Sequence, residues 1–281
     1  MAESALLKGR RGLVMGVAND HSIAWGIARA LAAHGAELAF TYQGEAQAKR
    51  LKPLAASIGS TLILPGDVEK DDELDAAFAA LKREWGGLDF LVHAIAYSDK
   101  NELKGRYVDT SRENFARSLS VSCYSFTAVA RRAAQLMAGK GGAMLTLSYL
   151  GASRVMPNYN VMGVAKAALE ASVRYLAADL GHEGIRVNAI SAGPMRTLAG
   201  SAIGDGRTMF RWIRALNPLR RTTELEHVGG AALYLLSELS AGVTGEVHFV
   251  DAGYNVIGVP PASLLNSWNA AENGDKTDAQ A

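Results

Sequence analysis

The 281-residue chain has a single cysteine, Cys123. That excludes an intramolecular disulfide framework and any zinc cluster built on thiolates. Charge of one sign is also missing: 29 basic residues against 28 acidic ones leave a net +1. Without a basic field there is nothing to hold nucleic acid or an anionic membrane. The opening MAESALLKGRRG carries no apolar run long enough for a signal peptide or a membrane anchor. No repeat and no Pro/Gly/Ser-rich linker divides the chain, and Asp, Glu and His show no metal-ligand spacing, so no metal is expected. Residues 271–281 lack Val, Ile, Leu, Met and aromatics and read as a disordered tail. These absences predict a cytoplasmic globular protein, and a chain of this length buries about three quarters of its unfolded surface.

The rest of the chain alternates. Short apolar runs at 12–17, 37–42, 61–66, 88–97, 142–149, 185–191 and 246–251 read as strands. Most are continuous rather than alternating, as expected of strands covered on both faces. Helical patterns lie at 22–34, 71–85, 112–137, 158–180 and 225–239. The expected fold is therefore α/β: a single-domain, Rossmann-type, doubly wound parallel sheet of about seven strands, with helices on both faces. The domain should run over 1–258, followed by a C-terminal extension at 259–281. Residues 195–220 break the rhythm with glycines mixed among apolar and basic residues, and read either as a lid or binding loop or as a connecting helix pair.

In such a sheet, ligands bind beyond the carboxyl ends of the strands. The first β–α turn, G-V-A-N-D-H-S-I-A-W-G at 16–26, is not G-x-G-x-x-G, but it suits a phosphate. Gly16 lets the backbone turn, Ser22 stands at the expected N-cap, and the N–H groups after it are free for a pyrophosphate. Ala24 and Gly26 keep the helix slim enough to pack on the strand. The second strand ends in Thr41-Tyr42-Gln43, where Gln43 can bind an adenosine ribose diol. No Arg adjoins Gln43 to neutralise a 2′-phosphate, which favours NADH over NADPH, although Lys49 and Arg50 are within a swing. Asp67, in P-G-D-V, is placed to accept from an adenine amino group or to cap the next helix.

The stretch 146–166 carries the chemistry. Tyr159 and Lys166 are seven apart, about two turns of a helix expected to begin near Pro157, so both fall on one face. A phenol beside an ammonium is a donor paired with a cation, and the cation is expected to lower the phenol's pKa. The plain alternative is two surface residues on one helix. His93 and His248 lie within apolar strands and read as core histidines.

With this turn, with N-A-I-S-A-G-P at 188–194, and with Tyr149 in S-Y-L-G at 148–151, the chain resembles the short-chain dehydrogenase/reductase superfamily. Within it, the chain is similar to the bacterial NADH-dependent enoyl-acyl-carrier-protein reductases, a divergent branch, over about residues 7–258. The T-Y-Q at 41–43, G-D-V at 66–68, V-H-A-I-A at 92–96 and S-A-G-x-x-G-E-V at 240–247 carry the likeness further. Carbonyl-reducing members generally have Tyr-x3-Lys, and here Gly163 stands at that position. A carbonyl reductase and a catalytically silent NAD-binding module are the rival readings.

The resemblance implies that Tyr159 stabilises an enolate, Lys166 binds the nicotinamide ribose, and Tyr149 lines the acyl pocket. It implies cofactor contacts at Gly16, Ser22, Ile23, Gln43, Asp67, Val68, Ile95, Lys166, Ala192 and Thr197, and substrate contacts at Ala96, Tyr97, Tyr149 and Met162. It implies a substrate-covering loop over 195–217, whose Arg196, Arg207, Arg211 and Arg214 would meet an acyl carrier protein or simply face solvent. It also implies a homotetramer, for which the Gly- and Ala-rich stretches at 165–180 and 228–236 would suit subunit packing. Ala94, Ala96 and Tyr97 depart from the commoner Ser, Gly and Phe of that branch.

Overall fold

The computed structural model describes residues 5–195 and 213–259. Seven strands form one parallel sheet in the order β3-β2-β1-β4-β5-β6-β7. They are β1 (Arg11–Met15), β2 (Glu37–Tyr42), β3 (Leu62–Pro65), β4 (Phe90–His93), β5 (Gly142–Ser148), β6 (Ile185–Ala192) and β7 (Val247–Val250). The helices are α1 (Ile23–Ala33), α2 (Gly44–Ser57), α3 (Asp71–Trp85), α4 (Arg112–Leu119), α5 (Ser125–Met137), α6 (Asn160–Leu180) and α7 (Leu225–Leu236).

Both faces of the sheet are dry, which is why its strands read as unbroken apolar runs. Val14, Phe40, Val92 and Leu145 pack with Ile27 and Leu31 of α1, Leu51 of α2 and Val228 of α7. The alternate residues Leu13, Met15, Leu91 and Met144 pack with Leu74 of α3, Val129 of α5 and Leu169 of α6 on the other face. The strand order reverses between β1 and β4, so the chain leaves these neighbours in opposite directions and opens a crevice at their carboxyl ends.

Four local expectations are corrected. The run 88–97 is strand only over Phe90–His93, because the backbone departs at Ala94 although Ile95 still packs on the core. The helix expected over 112–137 is broken by a π-helical turn, Ser120–Tyr124. Such turns recur near functional sites, and here Ser122 Oγ accepts from Tyr97 N at 2.9 Å and donates to its carbonyl at 3.0 Å. His248 is not a core histidine: edge strand β7 leaves it half-buried, with Nδ1 3.0 Å from Glu246. Gly26 is slim for a neighbouring helix rather than for the strand, since a Cβ there would lie 2.7 Å from Leu225 Cβ. Gly229 likewise fits against Ala30, whereas a Cβ on Gly230 would meet nothing within 4 Å.

His93 is the core histidine expected. It is fully buried, with Nδ1 3.0 Å from Thr146 Oγ1 and Nε2 2.8 Å from Ser125 Oγ. Burial, aided by the nearby Lys166 charge, lowers its pKa to about 3, so it stays neutral.

Candidate active site

The crevice begins where β1 ends. Gly16 has φ +98°, and a Cβ there would lie 2.1 Å from the Ala94 carbonyl oxygen. Only glycine allows the two strand ends to approach this closely while the chain turns into the α1 loop. Ser22 holds the N-cap position of α1, but its hydroxyl does not cap the helix. It instead accepts from Ala18 N and Asn19 N, both at 3.0 Å, and so shapes the loop. The N–H groups of Trp25 and Gly26 donate to the Ser22 carbonyl, which leaves those of Ile23 and Ala24 at the open end of α1, a geometry suited to a phosphate.

The side expected to take the adenosine follows at the ends of β2 and β3. Gln43 Nε2 donates to Asp67 Oδ2 at 3.1 Å, so the two residues expected there are joined. Asp67 does not cap α3, whose N-cap is Lys70, and its other oxygen accepts from Glu69 N. Val68 and Ile95 are half-buried against the core face that carries α3. Gln47 links Gln43 N to the Val17 carbonyl, and Arg50 Nε donates to the Ala18 carbonyl at 3.0 Å. Arg50, seven residues beyond Gln43 along α2, therefore already lies against the loop that follows β1.

The side of the crevice expected to take the nicotinamide is built by β5 and α6. Lys166 is buried in α6 and donates through Nζ to the Leu147 carbonyl at 2.6 Å. Tyr149, two residues on, leaves the strand end, and its ring meets that of Tyr159 edge-on at 5.0 Å. Tyr159 is the N-cap of α6 rather than part of its first turn, and stands between Asn158 and Asn160, both in the left-handed region. Gly151 and Gly163 make room beside it: a Cβ on Gly151 would strike the Tyr159 ring at 2.4 Å. Tyr159, Leu103 and Met162 form a small apolar cluster with Tyr149 and Met156, a surface suited to a hydrocarbon chain.

The electrostatics correct one expectation. Tyr159 does not have a lowered pKa. Burial pushes the phenol up, and the nearby Tyr149 and Glu170 push it further, so it keeps its proton across the neutral range. Tyr149 is shifted the same way, by burial and by Tyr254. Lys166 moves down to about 8 because burial outweighs the opposing pull of Cys123 and Glu170. The site thus holds two protonated phenols and an ammonium near the edge of deprotonation.

Around the mouth, Ala96 and Tyr97 are exposed beyond β4 and Ala192 is buried at the end of β6. The Arg117 guanidinium lies 4.4 Å over the Tyr97 ring and also binds Glu69 with two 3.0 Å hydrogen bonds. It joins the adenosine-side loop to the acyl-side loop. Neither Arg117 nor Glu170 was singled out in the sequence, because a charged residue on a helix reads as a solvated face. Thr197, Arg196, Arg207 and Arg211 lie outside the described residues, with most of the 195–217 loop and the 260–281 tail. Arg214 is described, exposed, and donates to the Arg220 carbonyl.

The crevice fits a dinucleotide: an open helix N-terminus at a bare Cα, a polar pair at the adenosine end, and a buried cation with phenols at the other. Comparisons with known proteins agree. The family profile described as enoyl-(acyl carrier protein) reductase matches residues 16–255. Enoyl-[acyl-carrier-protein] reductase [NADH] 2 of Rhizobium meliloti (strain 1021) is 65% identical over 267 residues, 95% of this chain and 99% of that one. The crystal structure of the enoyl-(acyl-carrier-protein) reductase of Anaplasma phagocytophilum in complex with NAD superposes with a TM-score of 0.88 at 58% identity, covering 91% of this chain and 97% of that one. The Bacillus cereus enoyl-acyl carrier protein reductase, solved with NADP+ and an indole naphthyridinone, gives 0.89 at 52% identity over 90% and 99% of the two chains. Over residues 16–255, from the Gly16 turn past Tyr159 and Lys166, the chain belongs to the enoyl-(acyl carrier protein) reductase family.

Proposed function

We propose that the chain reduces the trans-2 double bond of enoyl thioesters carried on acyl carrier protein, using NADH, as the reductive step that closes a fatty-acid elongation cycle. The observation that carries this reading is the buried, protonated Tyr159 phenol, edge-on to Tyr149 at the end of β5 and set in an apolar cluster. When bound, the reduced nicotinamide supplies a hydride to the substrate's β-carbon. Negative charge then develops on the thioester oxygen, and Tyr159 donates a hydrogen bond to it. In a water-poor site one such donor is typically worth roughly 2.7–4 kcal/mol of transition-state stabilisation. A phenol whose pKa has been raised is a poor acid, so the role assigned to it is hydrogen-bond donation to the enolate oxygen.

Lys166 binds the nicotinamide ribose and keeps the local field positive. Gly16, Ser22 and Ile23 hold the pyrophosphate, and Gln43 with Asp67 holds the adenosine. Val68, Ile95, Ala192 and Thr197 complete the cofactor's contacts. Met162, Ala96, Tyr97 and Tyr149 face the acyl thioester, and the 195–217 loop covers it while its arginines meet the acidic carrier. The protein works in the cytoplasm as a homotetramer; among the described residues no helix is long and apolar enough to cross a membrane.

The test is NADH consumption with crotonyl thioester and, separately, acetoacetyl thioester. Oxidation only with the enoyl compound supports this reading, oxidation with the keto compound makes the protein a carbonyl reductase, and neither makes it a silent binding module. Repeating the enoyl assay with NADPH tests Gln43: a faster rate than with NADH would overturn its assignment and point to Arg50 as a 2′-phosphate ligand.

A further inference from the structure

Lys166 and Glu170 stand one turn apart on α6. Lys166 donates to the carbonyl of Leu147, and Ser148 Oγ donates to Glu170 Oε1 at 2.5 Å. The helix therefore grips two consecutive residues of β5 at the point where the strand ends. The next residue is Tyr149, whose ring direction is set by how the chain leaves Ser148.

Glu170 is a costly residue to place here. Burial pushes its carboxyl up, against the pull of Ser148, Arg174 and Lys166. Ser148 is itself only 5% exposed, so its hydroxyl depends on this acceptor. A half-buried carboxylate with a short, charge-assisted bond holds geometry better than a neutral pair does. Tyr149 in turn is the wall against which Tyr159 packs.

We propose that Glu170 is a positioning residue, which by accepting from Ser148 fixes the exit of β5 and so holds Tyr149 against Tyr159 over the substrate. This rests on the enoyl-reductase reading above. Glu170 touches neither substrate nor cofactor. Lys166, with its own bond to Leu147, is left to the ribose, so the two residues of α6 divide the work.

The experiment measures kcat with crotonyl thioester and the NADH dissociation constant for E170A, S148A, their double variant and E170Q. E170A should lower kcat about tenfold with NADH affinity within twofold of wild type. S148A should do the same, and the double variant should lose no more than either single, because both break one interaction. E170Q, whose amide oxygen still accepts, should return kcat to within threefold of wild type. Losses that multiply, a kcat for E170A within twofold of wild type, or an E170Q as slow as E170A would each overturn the proposal. If E170A fails to fold, S148A decides alone: a folded S148A with unchanged kcat sinks the idea. A wild type inert toward crotonyl thioester would instead sink the parent reading. The Glu170 assignment then rests on the near-ultraviolet dichroism of the tyrosine pair, which E170A and S148A should weaken and E170Q retain; an unchanged spectrum in all three overturns it.

Discussion

The two rims of the sheet treat charge in opposite ways. At the amino-terminal rim, a polar cleft is lined by Arg10, Asp89, Lys140 and Arg186. Asp89 accepts from Arg11 N and pairs with Arg10 at 3.4 Å and Lys140 at 3.2 Å, while Arg10 also reaches Glu238. Arg186 spends its donors on the Leu235 and Ser237 carbonyls at the end of α7. Every charge there has a structural partner. At the carboxyl rim Lys166 is buried against the Leu147 carbonyl, and burial lowers its pKa. Both rims hold groups with shifted pKa values, Asp89 and Arg186 at one and Tyr149, Tyr159 and Lys166 at the other, but the first are tied into ion pairs near water or to the carbonyls at the end of α7, and the second are buried at the crevice. A perturbed group buried at a crevice is a candidate for chemistry, and one held in a structural network is not.

The sharpest way to break that contrast is Tyr159→Phe. The phenol is buried and protonated, so its loss removes one hydrogen bond to developing charge without changing the ring that Tyr149 packs on. Turnover with crotonyl thioester should fall by about two orders of magnitude, or about 2.7 kcal/mol. The melting temperature should hold, and near-normal turnover would mean that another donor does this work.

Lys166→Met comes next and carries a pH signature of two opposite signs. NADH affinity at pH 7 should fall about tenfold, since a charged donor to a ribose is lost. In the wild type that affinity should decline as pH rises through about 8, where the buried ammonium deprotonates, whereas the variant should be flat. Stability runs the other way. The folded state holds fewer protons than the unfolded chain between about 8 and the ordinary value of 10.5, so this residue's contribution to stability rises with pH across that window. Urea unfolding of wild type and variant across that range checks it, and parallel slopes would refute a depressed Lys166.

Much of this was legible in the residues. The layered parallel sheet follows from apolar runs that burial on both faces requires, and Gly16, Ser22, Tyr159 and Lys166 fall at the rim the topology predicts. What was not legible has identifiable causes. Helix α2 buries only Ala48, Leu51 and Ala55 and carries Pro53, so its apolar stripe was too thin to stand out. Ala94 and Ile95 are apolar because they pack on the core, not because they extend β4, and Ala96 and Tyr97 are exposed; apolarity does not report conformation. His248 sits in an apolar string whose strand proves to be an edge. The sign of the Tyr159 shift depends on a competition between burial and a neighbouring cation, which spacing along a helix does not reveal.

The smallest effect should come from the opposite rim. Burial pushes the Asp89 carboxyl up, but the Arg11 N–H, Lys140 and Arg10 outweigh it and hold it below its ordinary value of 3.8. A carboxylate so shifted stabilises the fold above that value and loses the contribution as pH falls through its lowered folded value. Asp89→Asn keeps an acceptor for Arg11 N and removes only the charge, from pairs whose cations are largely solvated. The cost at pH 7 should therefore be about 1 kcal/mol or less by urea unfolding, shrinking toward zero as the pH falls below the lowered folded value. Turnover and NADH affinity should stay within twofold of wild type. A tenfold loss of turnover would show that the amino-terminal rim is coupled to the chemistry, and the division of the sheet into a structural end and a reactive end would have to be abandoned.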